Sequence, residues 1–438
     1  MTPPDDNDLL TRVGPGTPMG EMMRQYWIPA LKSSEVERDG PPVRLVLLGE
    51  KLIAFRDSAG RVGVMDHRCP HRCASLFYGR NEEGGIRCIY HGWKFDADGA
   101  CLDQPNLPAH QVFKHKVRAK SYRVTERSGV VWVYMGAREN APPLPMMEAT
   151  LLPDSETRVT FTQRECNWLQ AIEGDIDTSH FAFLHYGAVG PDDIAEDQIE
   201  RYQYVVRAPD YRIADTDWGM MYGAYRAGAP GTHYWRIAHF LFPFWTMAPG
   251  GSIERLVWAR GWIPMDDGHT MFVQLQWTGS PRTVREFKDG TPIPGIRTDI
   301  DYLPNTTDWF GRWRAAANLS NDHRIDRAAQ RTRSFSGIDG IALQDQAITE
   351  SMGPVVDRSF ENLAPSDLMV VRTRRRLLAV AQALQKDGTV PPAVDDPEIF
   401  LSVRAGDYLA PANADWMESY RDQIRRANNP TGRLAAAE

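Results

Sequence analysis

The stretch Cys69–His91, CPHRCASLFYGRNEEGGIRCIYH, decides how the first third of the chain is read. It carries Cys69-x-His71, sixteen intervening residues, then Cys88-x-x-His91, with a third cysteine, Cys73, between them. Two thiols and two imidazoles this close in sequence point to a metal. A structural zinc site sets like ligands side by side, Cys-x(2–4)-Cys followed by His-x(3–5)-His. Here each half supplies one Cys and one His. That division suits an iron–sulfur cluster whose two irons differ, one held by both thiolates and the other by both imidazoles. Neutral imidazoles make such a cluster less negative and raise its reduction potential.

Around the stretch the texture is one of short strands. VRLVLLGEKLIAFRDSAGRVGVM (43–65) reads as strands broken by turns at Gly49-Glu50 and Ser58-Ala59-Gly60. The same texture returns at 86–95 and in SGVVWVYMG (128–136). A small all-β domain with metal ligands in its loops is expected over about 40–140, and APPLPMM (141–147) reads as an extended connector. The domain expectation is therefore 1–145 for an N-terminal segment with the metal-binding domain, and 146–438 for a second domain.

In the second part TRVTFTQRECNW (157–168) is strand-like, and LQAIEGDIDTSHFAFLH (169–185) reads as one helix despite its glycine. Aromatic-rich strands follow in WGMMYGAYR, HYWRIAHFLFPFWTMA and MFVQLQWTG. SDLMVVRTRRRLLAVAQALQKDG (366–388) is an amphipathic helix ending at Gly388. The fold class is α+β, a curved antiparallel sheet backed by helices. GPGTPMG (14–20) has the glycines of a dinucleotide loop, but no predicted strand precedes it, its spacing is wrong and it carries two prolines.

A net charge of −7 argues against a nucleic-acid backbone or an anionic membrane as partner. No apolar run approaches the 18 or so residues of a membrane span, and MTPPDDNDLL lacks the basic-then-apolar layout of a signal peptide. Five cysteines, three of them in one cluster, fit metal-bound thiolates in a reducing cytoplasm better than a disulfide framework.

A second constellation lies in EGDIDTSHFAFLH: Glu173, Asp177, His180 and His185. Asp177 and His180 share a helical face. His180 and His185, five apart, stand about 140° from each other on an ideal helix, so the helix must end or distort for both to meet one metal, and Gly187 offers a stop. Two hydrogen-bonded helix histidines are the plainer alternative. Two His and one carboxylate would instead leave iron(II) open positions for dioxygen and substrate. ALQDQAITESMGPVVDRS offers Asp345, Glu350 and Asp357 as the third ligand.

The Cys69–His91 stretch resembles the Rieske [2Fe–2S] motif, which implies Cys69 and Cys88 on one iron and His71 and His91 on the other. Respiratory Rieske proteins carry a further, disulfide-bonded Cys in each loop. Here Tyr90 takes one of those places, so Cys73 is expected to be a free, packed thiol, and Gly92 to let backbone N–H groups approach the sulfurs. The missing disulfide points to the oxygenase or ferredoxin branch.

With TRVGPGTPMGEMMRQYWIPAL (11–31), Asp-x-x-His-x₄-His and QDQAITESMGPVVDRS (344–359), almost the whole chain resembles the oxygenase component of Rieske non-haem iron aromatic ring-hydroxylating systems of the phthalate 4,5-dioxygenase type. That resemblance implies a helix-grip catalytic domain and Asp345 as the third iron ligand. It implies Asp177 as the acid bridging His180 to a cluster histidine of a neighbouring subunit, in a homotrimer or stacked hexamer. It further implies a separate NAD(P)H-dependent flavin and iron–sulfur reductase, an aromatic, carboxylated, phthalate-like substrate, and dioxygen. Arg236, amid an apolar strand, is the candidate for holding a substrate carboxylate, with a structural ion pair to a sheet-edge acid as its alternative role. Ser179, beside His180, is a second candidate. Ala214 stands where phthalate-type relatives are expected to carry Arg, which argues against phthalate itself. The competing functions are O-demethylation of an aryl methyl ether and electron carriage without oxygenase activity.

Overall fold

The computed structural model describes residues 4–280 and 284–432. Two short helices, α1 (Pro4–Thr11) and α2 (Pro18–Met23), come first. The Thr17 hydroxyl caps α2 by accepting from the Gly20 N–H at 3.2 Å, so the glycine-rich segment serves as a helix start. Strands β1 (Trp27–Lys32), β2 (Val43–Leu47), β3 (Glu50–Arg56) and β4 (Val62–Asp66) follow. A small sheet is then inserted, β5 (Arg80–Glu82), β6 (Gly85–Arg87), β7 (Lys94–Phe95) and β8 (Cys101–Asp103). Strands β9 (Ser121–Arg127) and β10 (Val130–Tyr134) return to close a six-stranded sheet in the order β1-β10-β9-β4-β3-β2. The turns expected near Gly49 and Gly60 are present, both glycines adopting positive φ.

VVWVY in β10 is buried at every position, as a continuous apolar run suits a strand covered on both faces. One neighbour across that face is Trp245, whose ring lies 5.8 Å from that of Trp132. The two halves of the chain therefore share one core. Residues 141–147 form no regular element, and the Trp27 indole donates to the Pro142 carbonyl there.

The second half contains β11 (Thr157–Arg164), α3 (Trp168–Asp175), α4 (Tyr202–Val205) and a run of antiparallel strands. These are β12 (Asp210–Thr216), β13 (Gly219–Ala227), β14 (Thr232–Leu241), β15 (Trp245–Met247), β16 (Trp258–Pro264) and β17 (Thr270–Trp277). Helices α5 (Arg327–Thr332), α6 (Ile341–Ser351) and α7 (Leu368–Asp387), strand β18 (Gly406–Pro411) and α8 (Trp416–Arg426) complete it. The eight-stranded sheet runs β11-β17-β16-β15-β14-β13-β12, with β18 added to β14. Helix α7 buries Met369, Val370, Thr373, Leu377 and Ala381 on one face, the helical spacing its sequence carries, and Gly388 ends it at φ 75°. It also packs against α1 and α2, and Arg358 donates to Asn7. The first two helices thus rest on the second half of the chain.

One expected element differs. The segment 169–185 is not a single helix. Helix α3 ends at Asp175, a non-helical turn spans 176–180, and Phe181–His185 forms one π turn in which the Tyr186 N–H reaches the Phe181 carbonyl at 3.2 Å. Asp177 breaks the helix by accepting from the N–H groups of Ser179 and His180, a local competition that short acidic side chains win at helix ends.

Candidate active site and metal centres

The two loops of the first centre repeat one backbone pattern. The Cys69 N–H donates to the Ala74 carbonyl and the Cys88 N–H to the Trp93 carbonyl, each at 2.8 Å. Cys73 N–H returns to Cys69 and Gly92 N–H to Cys88, each at 2.9 Å. Cys73 and Gly92 are therefore equivalent positions, and both have positive φ. A Cβ on Gly92 would also lie 2.6 Å from Pro105 Cγ, which leaves glycine as the fitting residue. Cys73 is free but exposed, not packed: its left-handed position turns the side chain outward. The two loops also meet where the Arg72 guanidinium lies 5.5 Å from the Tyr90 ring.

Cys69 and Cys88 are both buried, whereas the His71 and His91 rings lie 4.5 Å apart and half-buried. His71 stacks on Trp93 at 4.4 Å, and the Trp93 indole is anchored on Asn106. Burial, reinforced by the Cys88 sulfur beside it, pushes the Cys69 thiol up to about 12. His91 Nδ1 is buried and has no hydrogen-bond partner. Two adjacent buried sulfurs and an orphaned, buried imidazole nitrogen are the donor set an iron–sulfur cluster satisfies.

At the second centre three ligand atoms converge. His185 Nε2 lies 3.1 Å from Asp345 Oδ1, His180 Nε2 lies 3.5 Å from the same oxygen, and the two Nε2 atoms are 3.2 Å apart. A five-residue separation falls on one face when the turn closes i to i+5 rather than i to i+4, and that is what the π turn does here. Gly187 follows because Phe335 packs where a Cβ would stand, 2.4 Å away.

The opposite edge of each ring is also fixed. Asp177 Oδ2 accepts from His180 Nδ1 at 3.1 Å, and Gln344 Oε1 accepts from His185 Nδ1 at 2.7 Å. Gln344 spends its own NH₂ on the carbonyls of Gly295 and Ile338, so its oxygen must face the imidazole. With both Nδ1 atoms engaged, both Nε2 lone pairs face each other and a carboxylate. Burial pushes the Asp345 carboxyl up, but positive charge on His185 and His180, with Arg164 nearby, outweighs it and holds the group well below the usual carboxylate range, a charge that a bound cation would supply once both imidazoles are neutral. Two nitrogen lone pairs and a carboxylate at these separations fit a divalent cation, and two imidazoles with one carboxylate is the iron(II) set.

The other candidate acids lie elsewhere. Glu350 accepts from the Glu165 N–H and Gln346, and Asp357 caps the turn at Ser359. Glu173 is an ion-pair hub, held by Arg358 at 2.9 Å and Arg374 at 2.6 Å.

The triad opens on a cavity of about 420 Å3. Its floor lies on three strands, where Phe272 of β17 sits opposite Trp262 of β16 and Arg164 extends from the end of β11. The next row places Gln274 between Thr160 and Arg260. Trp262 and Phe272 lie 4.7 Å apart, and Arg260 stacks 3.9 Å over Trp258. Of the two substrate candidates, Ser179 does not line this cavity and bonds the Tyr211 hydroxyl at 2.6 Å. Arg236 does line it, but its guanidinium is spent on Thr178, Gln203, the Pro249 carbonyl and Asp407 of β18, the sheet-acid ion pair that was its alternative role. Gln344, Arg164, Arg260, Trp262 and Phe272 were not singled out by the sequence. The available signals were the position of Gln344 next to Asp345 and the placing of Arg164 on the inward phase of its strand.

No described helix is long and apolar enough to cross a membrane. Residues 26–122 match the Rieske [2Fe–2S] domain family, and residues 133–431 match the family described as LigXa C-terminal domain like. The chain is 52% identical to the 3-chlorobenzoate-3,4-dioxygenase oxygenase subunit of Comamonas testosteroni over 96% of this chain and 98% of that one. It is 37% identical to the phthalate 4,5-dioxygenase oxygenase subunit of Pseudomonas putida, over 88% and 87%. The 5,5'-dehydrodivanillate O-demethylase oxygenase subunit of a Sphingobium species is 31% identical over 91% and 85%. The crystal structure of dicamba monooxygenase bound to 3,6-dichlorosalicylic acid shares the fold, with a TM-score of 0.55 at 16% identity over 83% of this chain and 99% of that one. The two family matches and these relatives place the chain among the Rieske non-haem iron oxygenases, as an oxygenase subunit with a [2Fe–2S] cluster and a mononuclear iron(II).

Proposed function

We propose that this chain hydroxylates an aromatic carboxylic acid with dioxygen, as the terminal oxygenase served by a separate NAD(P)H-dependent flavin and iron–sulfur reductase. The observation that carries the reading is the convergence of His180, His185 and Asp345 on the wall of a cavity floored by aromatic rings and guanidinium groups. Named substrates of relatives, 3-chlorobenzoate and phthalate, are acids of this kind. Cys69, Cys88, His71 and His91 would hold the cluster, and His180, His185 and Asp345 the iron. Iron(II) on such a triad keeps positions open and supplies dioxygen activation beside the substrate.

The chain's own residues do the rest. Asp177 and Gln344 keep the two Nδ1 protons in place, so each imidazole presents an unprotonated Nε2. Trp262 and Phe272 offer faces on which an aromatic ring stacks. Asp177, a quarter exposed, has an edge available to a histidine of a second copy, and Ile89 and Tyr90 beside His91 are 63% and 54% exposed. These features support a head-to-tail trimer, or two stacked trimers, in which the cluster loops of one copy meet the Asp177 turn of the next. Five free cysteines support a reducing, cytoplasmic setting.

The test is a turnover screen with purified reductase, using 3-chlorobenzoate, phthalate and 3-methoxybenzoate. A hydroxylated chlorobenzoate product is expected. Formaldehyde from the methyl ether without ring hydroxylation would reassign the chain to O-demethylation. Cluster reduction without oxygen consumption on any acid would leave an electron carrier.

A further inference from the structure

The reading as an aromatic-acid oxygenase leaves open which group recognises the acid. Five arginines line the cavity. Arg158 is exposed to solvent and Arg285 is already engaged, and the other three can be compared by what already neutralises them. Arg236 is paired with Asp407 and donates to three further acceptors. Arg260 is paired with Asp175 at 2.5 Å and donates to Gln274. Arg164 has no carboxylate within ion-pair distance among the described residues. Among the described residues its Nη1 donates to the Thr349 hydroxyl at 3.2 Å, and its buried Nε donates to nothing.

Arg164 is nevertheless only 4% exposed. The Asp345 and Glu350 carboxylates are near enough to feel its charge but neither pairs with it. A guanidinium shielded from water without a directly paired carboxylate is costly, and an anion delivered into the cavity reduces that cost. The surroundings define the anion. The guanidinium lies 4.7 Å from the Trp262 ring and 5.9 Å from the Phe272 ring, the same pair of faces that floors the cavity. Thr349, which receives Nη1, bonds back to the Asp345 carbonyl at 2.8 Å, so Arg164 stands one helical turn of α6 from the iron ligand. A cation beside a stacked aromatic floor, one turn from the reacting centre, suits a carboxylate attached directly to an aromatic ring.

We infer that Arg164 binds the substrate's ring-attached carboxylate and selects aromatic acids over their neutral counterparts. The inference rests on the aromatic-acid reading above. It makes Arg164 a specificity residue that touches the substrate, with Arg260 and Arg236 serving the cavity's own ion pairs.

The test is calorimetric binding of 3-chlorobenzoate and of its neutral isostere 3-chlorobenzamide to iron-loaded, oxidised protein without reductase. Wild type, Arg164→Gln, Arg164→Lys and Arg260→Gln are compared, with iron content and cluster absorbance measured on each. Wild type is expected to prefer the acid by about ten- to a hundredfold, the range for hydrogen bonds to a charged group. Arg164→Gln should bind both ligands alike with its amide affinity kept, Arg164→Lys should recover part of the preference, and Arg260→Gln should keep it. An undiminished preference in Arg164→Gln would overturn the assignment. So would an equal loss of both ligands, or loss of iron, since either marks a role in supporting α6. If wild type itself shows no preference for the acid, the aromatic-acid reading fails and the assignment falls with it.

Discussion

His180 and His185 bring their Nε2 atoms to 3.2 Å of each other although five residues separate them, because a π turn closes between them. The outer nitrogen of each ring is held by a different element, Asp177 from the turn after α3 and Gln344 from α6. The proposed iron site is thus positioned by two supports as well as by the three residues that would hold the metal.

Gln344→Leu removes the acceptor that fixes the His185 tautomer and leaves the Gly295 and Ile338 carbonyls without their donor. Iron affinity should fall by about ten- to a hundredfold, the usual effect of losing such a support. Iron titration of the apo catalytic site, with cluster absorbance as an internal control, reads this directly.

Asp177→Asn keeps the shape of the turn but changes a carboxylate into an amide with one acceptor oxygen. Both centres should load nearly normally and the cluster should still accept electrons. Steady-state product formation should fall by orders of magnitude, with slow cluster re-oxidation when the pre-reduced protein meets dioxygen and substrate. Re-oxidation at the wild-type rate would remove Asp177 from the path between subunits, and lost iron would recast it as a ligand or structural support.

Cys73 is exposed at the position that Gly92 occupies in the companion loop. Cys73→Ser should leave the visible and electron paramagnetic resonance spectra of the cluster unchanged, whereas His71→Ala should alter or abolish them.

The strands of the first domain and the long helix ending at Gly388 were legible because alternation, turn residues and a left-handed glycine are local signals. The meeting of Cys69 with Cys88 and of His71 with His91 was legible because both loops are contiguous in sequence. The 169–185 helix was misjudged because Asp177 competes for backbone N–H groups, and composition does not reveal which partner wins. Both roles of Arg236 stayed open in the sequence because Asp407, its partner, lies 171 residues away on a strand that joins the sheet last. Arg164 and Gln344 act through such long-range contacts too.

Glu173 lies between Arg358 and Arg374. Burial pushes its carboxyl up, but the two guanidinium groups outweigh that and the net shift is downward. A folded-state value below the unfolded one means the contribution to stability is present above the unfolded carboxyl range, about 4.3, and is lost as pH falls through the folded value. Glu173→Gln should lower stability by about 3–5 kcal/mol at neutral pH and flatten the acid limb of melting temperature against pH. Thermal melts between pH 3 and 7 on both proteins test it.

Iron per chain, measured alongside acid-labile sulfide in wild type and Asp345→Ala, bears most directly on the two-centre site. The expected result is three irons and two sulfides in wild type, falling to two irons and two sulfides in the variant with the cluster spectrum intact. Three irons retained in Asp345→Ala, or a loss on Asp357→Ala instead, would contradict the triad of His180, His185 and Asp345.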